Sequence, residues 1–400
     1  MVNLKDPRHQ ASDSEHSPFT IHYSPFDTLT APRGERVVVG MSGGVDSSVA
    51  AALLVEDGYE VIGVSMRLWG DASGSGCCSL DDFLDARRVA AQLGIPFYVM
   101  DFRDVFTRNV VQPFVAEYLA GRTPNPCVHC NQFVKFASFS DRARELGAQW
   151  VATGHYARVI RDPQCASAQL WAAVDAAKDQ SYFLFAIEPE VLARTLFPLG
   201  GLTKTAVREH ARRLSLPVAE KPESQEICFA PKGEYADFVA RYAGNTVQPL
   251  AGAIVDDAGQ MLGTHDGIHQ FTIGQRRGLG LSAPQPLYVT AIDAQTGTVR
   301  VGARAATLAQ GLRATRPNWL TDGPLPVGTR LRIKIRSRFA ATPVTLGAAT
   351  EDGFEVWASA GLPAVTPGQA AVLYADDRVV GGGWIERALP VAGAITPAHG

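Results

Sequence analysis

Residues 37–54 constrain this chain more than any other stretch: the apolar run Val37-Val38-Val39, the small-residue turn Gly40-Met41-Ser42-Gly43-Gly44-Val45-Asp46-Ser47-Ser48 and the apolar run Val49-Ala50-Ala51-Ala52-Leu53-Leu54. The pattern predicts a strand, a tight loop and a helix. Glycines let a backbone approach an anion closely, loop N–H groups converge on it, and the helix start adds partial positive charge, so such a loop suits phosphate. Its spacing fits neither GxxxxGK[ST] nor GxGxxG. By itself the turn also fits a plain Gly/Ser helix cap; the strand before it, and the Asp and helix after it, favour the anion site.

The same grammar continues downstream. Val61-Ile62-Gly63-Val64-Ser65-Met66 reads as a second strand, 81–93 as a helix ending at Gly94, and Phe97-Tyr98-Val99-Met100 as a third strand. Helices are expected over 104–119 and 131–146, split by Gly121-Arg122-Thr123-Pro124-Asn125-Pro126. Trp150-Val151-Ala152-Thr153-Gly154-His155 supplies another strand, and a helix over 203–214 starts on a Thr cap and stops before Pro217. Strands alternating with helices imply a doubly wound parallel sheet in an α/β fold, with ligands at the carboxyl ends of its strands. Near residue 245 short alternating strands and turns such as Gln295-Thr296-Gly297 take over, which indicates small β-rich domains.

The expected organisation is a flexible extension over 1–33, a nucleotide-binding catalytic domain over 34–240, a central β-rich domain over 241–305, a C-terminal β-barrel over 306–388 and a flexible tail over 389–400. Within the barrel, Arg330-Leu331-Arg332-Ile333-Lys334-Ile335-Arg336-Ser337-Arg338 places five cations on one strand face and Leu331, Ile333 and Ile335 on the other. A solvated face would explain it; phosphate contacts explain better a run of one sign with no acid between.

The formal net charge of −3 gives no global sign of a nucleic-acid binder, so that partner rests on local patches such as this one. No stretch has the length and apolarity of a membrane span, and residues 1–33 lack an apolar signal core, so a cytoplasmic protein is expected. Six cysteines in such a chain point to thiol or metal chemistry rather than a disulfide framework. Cys127 and Cys130 form a lone CxxC, which reads as a redox pair, half of a metal site, or chance. A helix starting after Pro126 would lower the pKa of both thiols. Cys228 by itself reads as a small buried hydrophobe, and Cys77, Cys78 and Cys165 as incidental.

The motifs GMSGGVDSS, DARRVAAQLGIPFYVMDF, GRTPNPCVHCN, ATGHYAR, KDQSYFL, SQEICF and GQRRGLG are jointly specific and span about residue 35 to 386. On them the chain resembles the tRNA-specific 2-thiouridylases, members of the PP-loop ATP pyrophosphatase superfamily, whose enzymes replace the 2-oxygen of the wobble uridine with sulfur. The resemblance implies ATP contacts at Gly40, Met41, Ser42, Gly43, Gly44, Val45, Asp46 and Ser47, at Met66 and at Gly154. It implies a nucleophile at Cys130, a persulfide at Cys228, and a base-facing loop at Asn125, Pro126 and Cys127. Contacts to tRNA are implied at His155, Lys178, Asp179 and Gln180, at Ser337 and Arg338, and at Gln369.

The chemistry agrees with that assignment. A uridine 2-carbonyl is a poor electrophile, so ATP first turns its oxygen into a leaving group, and Asp46 reads either as the carboxylate holding Mg²⁺ against the phosphates or as a helix cap. One residue departs from the family pattern: many members carry Asp where Cys127 stands. Two states of the cysteines therefore stay open, a persulfide relay through Cys130 and Cys228, and a 4Fe-4S cluster held by Cys127, Cys130 and Cys228. Expected partners are tRNA and a sulfur donor or relay protein, with the enzyme acting as a monomer. Competing readings are a PP-loop ligase with another acceptor, as in argininosuccinate, GMP or tRNA lysidine formation, and a non-catalytic nucleotide- or RNA-binding module.

Overall fold

The computed structural model describes residues 34–70, 79–161, 168–222, 227–230, 233–244 and 250–390. The expected extension over 1–33, the last ten residues of the tail, Cys77, Cys78, Cys165 and the Ser224–Glu226 part of SQEICF lie outside them.

The first unit is built on a parallel sheet of β1 (Arg36–Gly40), β2 (Glu60–Arg67), β3 (Phe97–Asp101), β4 (Trp150–Thr153) and β7 (Thr195–Leu196), in the order β3-β2-β1-β4-β7. Alternation sends Val37 and Val39 to one core and Val38 to the other, so both faces are covered. Helices α1 (Val45–Glu56) and α2 (Leu80–Leu93) pack on one face with the helix Lys204–Arg213. Gly94 ends α2 in the left-handed region, as the sequence leads one to expect, and the structure adds a reciprocal capping box between Ser79 and Asp82 at its start.

The other face carries two long helical runs, 103–119 and 126–145. The second starts five residues earlier than expected, because Asn125 accepts from Val128 N at 3.4 Å and Pro126 occupies the first turn. Each run has a wider, π-type stretch, Thr107–Val111 in the first and Cys130–Ser138 in the second. Such stretches occur often at functional sites.

The remaining strands form two further β units. The central sheet joins β8 (Gly252–Val255), β9 (Met261–His265), β10 (Tyr288–Asp293) and β11 (Thr298–Gly302), with the expected Gln295–Gly297 turn between the last two. The C-terminal strands β12 (Leu308–Trp319), β13 (Arg330–Lys334), β14 (Thr342–Ala349), β15 (Gly353–Pro363), β16 (Ala370–Ala375) and β17 (Arg378–Leu389) close into a six-stranded barrel through the β12–β17 pairing. A hairpin that sequence reasoning missed, β5 (Ala157–Arg161) and β6 (Ala168–Ala172), leaves the parallel-sheet unit and pairs with β17 through Trp171 and Leu170.

The basic strand needs correcting. Leu331, Ile333 and Ile335 are buried as expected, yet the strand ends at Lys334 and the five cations do not share an exposed face. Lys334 pairs with Asp179 at 3.0 Å, and Arg336 turns inward to the carbonyl oxygens of Ala364 (2.7 Å) and Ile273 (3.4 Å). A charge facing a buried carboxylate or converging carbonyl oxygens makes stronger hydrogen bonds there than in a solvated row. Arg336 thereby ties the central unit to the barrel, and Ser337 and Arg338 fall in the turn that follows.

Candidate active site

The loop after β1 sits where the strand order reverses, between β1 and β4. Met41 N donates to Val64 O at 2.8 Å, and Ser65 Oγ donates to Met41 O at 2.5 Å, so the loop is anchored to β2. Ser42 N donates to Ser47 Oγ at 3.1 Å, and Ser48 Oγ donates to Gly44 O at 2.8 Å, which folds the loop over the start of α1. Gly43 has φ +73°, and a Cβ there would lie 2.2 Å from the Asp82 carbonyl oxygen. Only glycine fits at that position.

Two residues distant in sequence join this loop. A Cβ on Gly154 would lie 2.6 Å from Ser47 N, so the end of β4 runs directly against the loop backbone. Gly40 faces Met66, whose terminal methyl would be 3.1 Å from an added Cβ. Met66 and Gly154 thus both lie against the Gly40–Ser47 loop.

Two lysines brace the loop, and neither carries a local sequence signal. Lys204 Nζ donates to Asp46 Oδ1 at 2.6 Å, and Tyr156 Oη donates to the same oxygen at 2.8 Å. Lys221 Nζ donates to Gly43 O (3.1 Å), Asp82 (2.8 Å) and Asp85 (2.7 Å). Their partners lie more than a hundred residues away, so no motif window contains both halves.

The CxxC opens the 126–145 helical run, which passes Gly40 at Phe139, with ring carbon Cε1 at 3.7 Å from an added Cβ. Cys127 is exposed, Cys130 buried and Cys228 half-buried. Cys130 belongs to the core on that face of the sheet, and Cys228 packs against the same cluster. Packing of the protein around Cys127 pushes its thiol pKa up, and nearby Lys135 pulls the other way. The three thiols are not gathered into a metal-binding group; among the described residues no set of three Cys, His, Asp or Glu is. That arrangement does not fit the cluster reading.

Several of the residues expected to meet tRNA point inward. His155 is buried, its Nδ1 sits 2.7 Å from Thr153 Oγ1, and burial followed by Lys135 holds its pKa well below the usual range. Asp179 accepts from Ala173 N, Ser181 N and Lys334, and Gln180 Oε1 accepts from Tyr156 N at 2.9 Å. Gln369 Nε2 donates to the carbonyl oxygens of Thr123 (3.0 Å) and Pro124 (3.1 Å). Lys178 and Ser337 are half-buried and Arg338 exposed, and the Arg276-Arg277 pair is exposed beside a cleft of about 410 Å³. A glycine-rich loop at a helix start with a carboxylate and braced lysines on one face of the sheet, and on the other face a cysteine-bearing helix that reaches the same strand end at Gly40, suit nucleotide activation followed by thiol chemistry.

Comparison with known families covers almost all of the described chain. The description "tRNA methyl transferase HUP domain" matches residues 35–232, "tRNA methyl transferase PRC-barrel domain" 236–303, and "Aminomethyltransferase beta-barrel domain" 309–385. The tRNA-specific 2-thiouridylase MnmA of Geotalea uraniireducens is 50% identical over 371 residues, covering 90% of this chain and 98% of that one. The protein of the same name from Solibacter usitatus is 49% identical over 366 residues, covering 88% and 99%. That from Geobacter metallireducens is 50% identical over 370 residues, covering 90% and 99%.

Proposed function

The chain belongs to the tRNA-specific 2-thiouridylase family, and from that premise we propose that it uses ATP to place sulfur at position 2 of the wobble uridine of tRNA. The single observation that carries the site assignment is the meeting of Gly154 and Met66 with the Gly40–Ser47 loop on the sheet edge that also receives the cysteine-bearing helix. The ligase and non-catalytic readings gain nothing from the three relatives named above, each of which carries the thiouridylase name.

The uridine 2-oxygen attacks the α-phosphorus of ATP, the bond to pyrophosphate breaks, and an O-adenylate forms. Backbone N–H groups of the loop and the Ser42 and Ser47 hydroxyls receive the departing pyrophosphate, and α1 contributes its positive end. Asp46 offers one carboxylate, which suits Mg²⁺ when phosphates supply most of its other ligands. When bound, the ion would neutralise charge on the phosphates.

Sulfur then displaces AMP. The terminal sulfur of a Cys228 persulfide attacks C2, AMP leaves, and uracil C2 is left joined to Cys228 through two sulfurs. The Cys130 thiolate attacks the Cys228 sulfur, the S–S bond to the base breaks, and 2-thiouridine departs with a Cys130–Cys228 disulfide behind it. A thiol reductant restores both thiols, and a donor or relay protein recharges Cys228. We take the persulfide route, since no assembled set of three ligands among the described residues supports the cluster reading.

On this reading Asn125, Pro126 and Cys127 face the base, and Lys178, Ser337, Arg338 and the Arg276-Arg277 turn meet the tRNA backbone. His155, Asp179 and Gln180 support that surface from beneath. We place the enzyme in the cytoplasm, acting as a monomer; no helix among the described residues is long and apolar enough to cross a membrane. Deleting the gene and measuring 2-thiouridine in tRNA nucleosides by mass spectrometry tests the proposal. Loss of the modified nucleoside, restored by wild type but not by Asp46→Ala, is expected; unchanged thiolation in the deletion strain would overturn it.

A further inference from the structure

The turn 121–125, which feeds the helix carrying Cys127 and Cys130, is tied at Gly121 and Arg122 to the helix before it and, through Gly121, Thr123 and Pro124, to the two β units. A Cβ on Gly121 would lie 2.9 Å from Ile292 of the central sheet, and Thr123 Oγ1 donates to Thr272 Oγ1 at 3.1 Å. From the barrel, Pro367 O accepts from Thr123 N at 2.9 Å, and Gln369 Nε2 donates to the Thr123 and Pro124 carbonyls. Gly368, at φ +88°, allows that approach, since a Cβ there would stand 2.9 Å from Thr123 O. Two residues past Cys127, the His129 ring stacks edge-on against barrel Trp384 at 4.5 Å.

Gln369 does not sit in a mobile arm. Ile385 N donates to its carbonyl at 2.8 Å, so its backbone is registered to β17, and its side-chain amide spends both observed bonds on the turn. Without that donor the last carbonyls before Asn125 lose their partners, and the helix cap loses its fixed entry.

We propose that Gln369 is a positioning residue for the cysteine-bearing helix: its amide, carried by the barrel, sets where Asn125 to Cys127 stand over the catalytic edge of the sheet. A tRNA that engages the barrel therefore meets a turn already tied to the thiols. The inference rests on the proposed sulfur-transfer site for its functional meaning, but the latch exists in the protein without tRNA and is testable there.

The test compares Gln369→Glu, which keeps the shape and removes the donor, with Gln369→Lys, which keeps a donor. The rate of Cys127 alkylation by iodoacetamide in the tRNA-free full-length protein is followed by peptide mass spectrometry, alongside tRNA affinity and single-turnover thiolation. Gln369→Glu is expected to speed alkylation severalfold and to slow thiolation by about tenfold, the scale of two lost hydrogen bonds, with tRNA affinity within about twofold of wild type. Gln369→Lys is expected to restore both rates. Unchanged alkylation in Gln369→Glu, or equal disturbance in both variants, would overturn the proposal. Weakened tRNA affinity with normal alkylation would overturn it in favour of a direct tRNA contact. If wild-type protein alkylates as expected yet never thiolates tRNA, the functional reading fails and the latch stands.

Discussion

Lys204 Nζ lies 2.6 Å from Asp46 Oδ1, across 158 residues of sequence, with the lysine side chain 12% exposed and the carboxylate 32% exposed. The pair sits over the first turn of α1, where pyrophosphate would leave. A lysine there can hold Asp46 until phosphates and Mg²⁺ compete for it, and can then turn to the phosphates themselves. Lys204→Met is expected to lower tRNA-dependent pyrophosphate release by on the order of a hundredfold, with Lys204→Arg retaining part of it. A phosphate-release assay coupled to pyrophosphatase checks this; wild-type rates in Lys204→Met would remove the lysine from the reaction.

The loop itself gives a second prediction. Gly43→Ala forces a side chain into a positive-φ position and into the backbone of Asp82, whose carboxylate Lys221 holds. It is expected to cost about 1–3 kcal/mol in stability and to abolish the rise in melting temperature on adding ATP. A thermal scan with and without ATP decides it, and a preserved ATP shift would show that the loop tolerates the change.

The cysteines separate the two steps of the reaction. Cys130→Ser and Cys228→Ser should both reduce 2-thiouridine formation to background, while a single burst of tRNA-dependent pyrophosphate release survives. Protein purified without oxygen should be active with neither iron nor labile sulfide. Activity that tracks iron content would return the cluster to contention.

His129 makes stability depend on pH. Burial, with Arg316 second, lowers its pKa from 6.5 to about 4. Between those values the unfolded chain binds a proton that the folded chain does not, so stability falls as the solution is acidified through that window. About 2 kcal/mol is lost from this group by pH 5, and His155, shifted in the same direction by burial, adds to the trend. Urea midpoints at pH 7 and pH 5 should differ less in His129→Gln than in wild type; equal differences would locate the acid sensitivity elsewhere.

Much of the architecture was legible from period and punctuation. The run 37–54, the stop at Gly94 and the change of grammar near 245 all report interactions made within a few residues, and the corresponding strands and helices lie where those signals put them. The hairpin β5–β6 was not legible: its pairing with β17 joins segments about two hundred residues apart. The basic run misled for a related reason, because period-two spacing fixes which face a side chain leaves from but not what waits there. Asp179 and the Ala364 carbonyl took Lys334 and Arg336 out of the row.

By itself the sequence determined that a glycine-rich loop joins a strand to a helix and that a β-rich half follows a βα half. Only the tertiary structure decided that Lys204 and Lys221 brace the loop, that His155, Asp179 and Gln180 face inward, and that Gln369 grips the turn before Cys127. The first set is encoded by backbone propensity and side-chain period, which act over single turns and short strands. The second depends on the winding order of the sheet and on barrel closure, which bring together charges and carbonyls that no local rule can pair.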